Sequence, residues 1–145
     1  MTIMIEQLSR EVAPAVTAPA PAGDPVVAVL GQRSRVGGLP QHLPTGWTVR
    51  PVTGLDDIRP GEIVVLSGAG ADDVRTARAV LPRASRVVVL INEWAPAELV
   101  ASVLTAGADV CVRGGHPAIL AGHLVACRRR HLSERWARMD LAHTA

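Results

Sequence analysis

The chain has 145 residues, 48% of them hydrophobic, which is enough for one domain with a substantial core. The formal net charge is +2; all 15 basic residues are arginine, and the three tryptophans are the entire aromatic complement. Without aromatic residues interleaved among the arginines, the stacking platforms that hold single strands and RNA are missing. No helix-turn-helix or zinc-finger spacing occurs either, so direct nucleic-acid binding is not expected.

The N-terminal stretch MTIMIEQLSREVAPAV carries acids early, lacks a basic leader region and never builds a long apolar run. It is read as neither a signal peptide nor a membrane span, which makes the chain cytoplasmic. Ile5, Leu8 and Val12 share one side of a short helical segment, either a frayed terminus or a helix for a partner. Residues 13–25, APAVTAPAPAGDP, are too rich in Pro and Ala to form a regular ladder or bury much surface. The expected organisation is a flexible segment over 1–25 and a domain over 26–145.

Five β-rich runs follow: VVAVL (26–30), WTVRPV (47–52), EIVVL (62–66), VVVLI (87–91) and DVCV (109–112). The first two connections, rich in Gly and Pro, leave room for one or two helical turns each. After the third run, ADDVRTARAVLPRA offers Asp72 or Asp73 as N-cap and Val74, Ala77 and Leu81 as a sheet-facing stripe, ending near Pro82. The next helix has Pro96 in its first turn, Leu99, Val100, Val103 and Leu104 on one face, and Gly107 as its stop. A last helix starts near Pro117, turns Ile119, Leu120, Leu124 and Cys127 inward, and runs on through Leu132, Trp136 and Met139, past the core that anchors it.

Strands alternating with helices over short connections predict an open five-stranded parallel α/β sheet with helices on both faces and the first two helices shortened. Its ligand crevice should lie beyond the C-terminal ends of the strands. That places Ser67, at the tip of EIVVLSGAG, at the centre of any chemistry.

The stretch RVVVLINEWAPAELVASVLTAGADVCVRGGHPAILAGHLVACRRR resembles the second half of response-regulator receiver domains, with AGAD before the fifth strand as the most telling piece. The resemblance spans residues 25–131 in strand order and implies a flavodoxin- and CheY-like fold. It also implies where a working receiver keeps its chemistry: two acids after the first strand for Mg²⁺, and a phosphate-accepting aspartate after the third. Here the first strand is followed by Gly31, Gln32, Arg33, Ser34 and Arg35, and the acceptor position is Ser67. A hydroxyl beside two guanidinium groups offers Mg²⁺ neither charge nor geometry. The switching Ser or Thr corresponds to Ile91, and the lysine of the fifth strand to Arg113, followed by Gly114 where proline is usual. The resemblance is therefore to a degenerate pseudo-receiver that works without phosphorylation, metal or cofactor and is not an enzyme.

Other chemistries are weaker. Ser67 with His116 and Asp72 or Asp73 would make a hydrolytic triad, but LSGAG is not a nucleophile elbow. His123, Cys127 and His131 recur every fourth residue, a ligand-like spacing that ordinary packing of Cys127 explains. Cys111 and Cys127 read as buried thiols of a reduced protein rather than a disulfide. Arg128, Arg129 and Arg130 read as a solvated helix face. The loop GQRSRVGG (31–38) matches no nucleotide-binding fingerprint. Two expectations remain. Trp94, Leu132, Trp136 and Met139 form an interface for a homodimer or another regulatory protein, beside the alternative that the rings fold back onto the core. Gln32, Arg33, Arg35 and Arg113 line a crevice, with no carboxylate, for an anionic small molecule.

Overall fold

The computed structural model describes residues 23–144, with side chains to residue 141. The segment of Ile5, Leu8 and Val12 and most of the Pro/Ala tether lie outside the described residues. Five strands form: β1 Val26–Gly31, β2 Thr48–Val52, β3 Ile63–Ser67, β4 Val87–Ile91 and β5 Val110–Arg113. All neighbours pair in parallel, in the order β2-β1-β3-β4-β5. Each strand lies within one residue of its expected bounds.

The central strands are apolar throughout because both of their faces are covered. In β3, Ile63 and Val65 pack towards one side, and Val64 and Leu66 towards the other; in β4, Val88 and Leu90 alternate in the same way with Val87, Val89 and Ile91. The first face is closed by the one-turn helix α1 (Leu39–His42) and by α4 (Pro117–Thr144), through Leu39, Leu120, Leu124 and Cys127. The second is closed by α2 (Ala71–Val80) and α3 (Ala97–Ala106), through Val74, Ala77 and Val103. The short connections hold only a 3₁₀ turn at Arg33–Val36 with α1 after it, and a second 3₁₀ turn at Leu55–Asp57. No helix among the described residues is long and apolar enough to cross a membrane.

Four local expectations are corrected. The N-cap of α2 is Gly70, in an extended conformation; Asp73 sits one turn in, and its Oδ2 accepts the Gly70 N–H at 2.9 Å. Pro96 is the N-cap of α3 rather than part of its first turn. Leu104 and Ile119 are exposed, not inward. Gly107 does end α3, at φ +125°.

One buried charge is fully paired. Glu62, 7% exposed before β3, receives Arg50 Nε at 3.1 Å, Arg50 Nη2 at 2.7 Å and the Arg59 N–H at 2.8 Å. Arg50 reaches it across β1, along the row Arg50, Ala28, Val64 of the sheet. Burial pushes the Glu62 carboxyl up, but the hydrogen bonds from Arg50 and Arg59 and their charges outweigh it and hold the group below its ordinary 4.5. A carboxylate depressed in the folded state stabilises the fold above its unfolded pKa and loses that contribution as pH falls through the folded value. The urea midpoint should therefore fall on acidification below about 4.5, and Glu62→Gln should flatten that part of the profile while lowering the midpoint at neutral pH.

Candidate functional site

The strand order reverses between β1 and β3, and such a switch point opens a crevice at the C-terminal tips. In this chain the two tips are laced together. Ser67 is 5% exposed; its hydroxyl donates to the Gln32 carbonyl at 2.7 Å, and the Gln32 N–H donates back to the Ser67 carbonyl at 3.2 Å. The Gly68 N–H continues the ladder to Leu90 at 2.7 Å. Gly31, at φ +107°, lets the first tip pass this closely: a Cβ there would lie 2.3 Å from the Ser67 carbonyl oxygen. The Ser67 proton is thus committed to a backbone carbonyl. His116 lies elsewhere, edge-on to His42 at 5.1 Å, with Nδ1 accepting the Ala118 N–H. The residues of the hydrolytic triad are not brought together.

A cleft of about 470 Å³ opens beside the lacing, lined by Leu30, Gln32, Leu55, Ser67, Asp73 and Thr76 among others. Asp73, whose carboxylate is engaged by Gly70, is its one charged wall residue. The four expected crevice residues are split. Gln32 lines this cleft, and its Oε1 accepts Arg35 Nε. Arg35 and Arg113 line a separate groove of about 10 Å³ with His116 and Pro117, too small for any ligand. Arg33, first in its 3₁₀ turn, is exposed and lines neither. Ile91, at the position of the switching hydroxyl, is buried in the α2/α3 layer.

The expected interface residues lie outside the core. Trp94 is 83% exposed, so the ring does not fold back, and its backbone N–H donates to Asn92 Oδ1 at 2.7 Å. With Arg35, Asn92 and Gly114 it lines a shallow hollow of about 350 Å³. Trp136 is 47% exposed on α4, with Leu132 and Met139 half-buried on the same side, one turn before it and one turn after. At 28 residues α4 is about 42 Å long, and its core contacts end at Cys127.

The cysteines are free thiols, Cys127 buried and Cys111 half-buried, and burial pushes both up from the ordinary thiol value. His123 is exposed, and no group of three His, Cys, Asp or Glu side chains among the described residues could hold a metal ion. The arginine run divides: Arg129 and Arg130 are exposed, whereas Arg128 turns into a basic cleft that sequence reasoning missed. The signal was present in the spacing of Arg128, His131, Arg135 and Arg138, which places all four on one face of α4.

No family model matches the chain, and no curated protein matches it. Solved structures do. A receiver domain described as BeF3-activated DrrB is 22% identical, covering 74% of this chain and 97% of its own, with TM-score 0.57. The signal receiver domain of an HD domain-containing protein from Pseudomonas fluorescens Pf-5 is 14% identical, covering 83% and 98%, with TM-score 0.64. A CheY-like response regulator receiver domain protein from Methanospirillum hungatei JF-1 is 13% identical, covering 79% and 98%, with TM-score 0.58. The chain has the receiver fold, over almost the whole length of these domains.

Proposed function

We propose that the chain is a phosphorylation-independent regulatory or scaffolding module of signal transduction, a pseudo-receiver that dimerises or binds another regulatory protein through its C-terminal helices. The observation that carries this reading is the exposure of Trp94 and Trp136 in a chain with only three aromatic residues. Exposed tryptophans are the side chains that most often anchor interfaces, because they remove a large apolar area from water and lose little rotamer entropy. At about 25 cal/mol per Å², burying Trp136 and Leu132 supplies a useful driving force before ordering costs are subtracted, and Trp94, at the other end of the sheet, offers a separate anchor.

The tips of β1 and β3 support the same reading. Where the receiver resemblance implies an aspartate facing Mg²⁺, a hydroxyl donates into the backbone of its neighbouring tip. After incubation with acetyl phosphate and Mg²⁺, intact-mass spectrometry should show no phosphoryl adduct. An adduct on Ser67 would overturn the proposal. The alternative, a sensor gated by an anion in this crevice, is opposed by the Asp73 carboxylate on its wall and by the placing of Arg35 and Arg113 in a different groove.

A further inference from the structure

At the opposite end of the sheet, before the first residues of β3 and β4, lies a cleft of about 400 Å³, large enough for a small ligand. Its floor is apolar, from Pro60, Ile63, Pro82 and Ala84. Its walls carry Arg86 from the strand side and Arg128, His131, Arg135 and Arg138 from α4. The one carboxylate lining it, Glu62, is already spent on Arg50 and the Arg59 N–H.

The cations are unevenly satisfied. Arg86 Nη2 pairs with Glu134 and Nη1 lies 3.5 Å from Asp109, yet its buried Nε has no hydrogen-bond partner among the described residues. Such an orphaned donor is costly in a native protein unless something supplies an acceptor. Arg135 and Arg138 form no close ion pair among the described residues, and Arg138 interacts only at longer range with the Glu134 carboxylate that Arg86 already engages. Burial, then the charges of Arg86, Arg135, Arg128 and Arg138, hold the His131 imidazole below its ordinary 6.5. A concave, partly apolar site ringed by guanidinium groups focuses positive potential on its centre, where a multiply charged anion would relieve the mutual repulsion.

We propose that this basal cleft binds a phosphorylated small molecule with two or more negative charges, held by Arg86, Arg135 and Arg138. The concavity and size favour such a ligand over an extended polyanion, which a flat basic stripe would suit. The site lies away from Ser67 and Trp94 but borders Trp136, which follows Arg135 on α4, so the oligomeric state is measured with and without ligand beside the binding itself.

Pyrophosphate is the probe, followed by isothermal titration and by the melting temperature of the whole chain at fixed ionic strength. Pyrophosphate should bind at one site per chain and raise the melting temperature. Arg135→Gln with Arg138→Gln, both outside the core, should melt like the parent without ligand and bind at least tenfold more weakly. His131 faces Arg86 and Glu62 from the sheet side and Arg128, Glu134, Arg135 and Arg138 on its own helix. Pyrophosphate itself takes up a proton between about pH 8 and about pH 6, so the His131 contribution is read against His131→Gln: the parent should gain affinity relative to that variant as the pH falls, because an anion favours the imidazolium form. Three results would overturn the proposal: no binding, equal binding by the double variant, or stabilisation by a short DNA duplex and not by pyrophosphate.

Discussion

Gly31→Ala is expected to lower stability by about 3–5 kcal/mol, since a Cβ at Gly31 would approach a neighbouring atom more closely than at any other glycine. Two costs add. An alanine at φ +107° occupies a region that L side chains rarely adopt, and its Cβ would lie 2.3 Å from the Ser67 carbonyl oxygen, a backbone atom that cannot rotate away. Relief requires the β1 and β3 tips to separate, which breaks both bonds between Gln32 and Ser67. Chemical denaturation measures the loss directly. Ser67→Ala serves as the contrast, since it removes only the side-chain bond and should cost about 1 kcal/mol. A Gly31→Ala protein as stable as the parent would mean that the tips are not in contact.

Asp109→Ala should cost about 2–4 kcal/mol, by the loss of a node rather than of a single pair. Asp109, the aspartate of the AGAD stretch, accepts Arg78 Nη2 at 2.7 Å and the Val87 N–H at 2.8 Å through Oδ2, while Oδ1 lies 3.5 Å from Arg86. Arg78 is held in turn by the carbonyls of Gly107 and Ser85, each at 2.7 Å. One carboxylate therefore ties α2, the start of β4 and the entry to β5. Because the groups are coupled, Arg78→Ala and Asp109→Ala should be markedly less than additive in the double variant. Additive losses in denaturation midpoints would show that the brace is not one network.

The strands were legible because each buried run has to be apolar on both faces, and Val87–Ile91 admits no other reading. The helix faces were less legible. Four apolar positions suggested a broad inward stripe on α3, but only Val103 is fully buried there, and Leu104, one residue on, turns about 100° away into solvent. Ile119 sits in the first turn of α4, before the buried contacts of Leu120 and Leu124.

The site was legible in part. The tip at Ser67 followed from strand order, whereas the sequence left open whether Trp94 turns outward or folds back onto the core, because a loop position fixes neither. The grouping of Arg33, Arg35 and Arg113 did not follow, because a 3₁₀ turn at Arg33–Val36 divides side chains that are close in sequence. The basal cleft draws on residues 60–63, 82–86 and 128–138, three stretches that no local motif connects. The AGAD aspartate was recognised as a family likeness, but its role as a node depends on Arg78, 31 residues earlier.

The most direct test of the central claim is light scattering coupled to size exclusion on the whole chain and on Trp136→Ala, with and without acetyl phosphate and Mg²⁺. The proposed constitutive interface predicts a dimer that Trp136→Ala dissociates and that the phosphodonor leaves unchanged. A dimer that Trp136→Ala leaves intact, or an assembly that shifts when the phosphodonor is added, would contradict it, and a monomer would rule out its homodimer form.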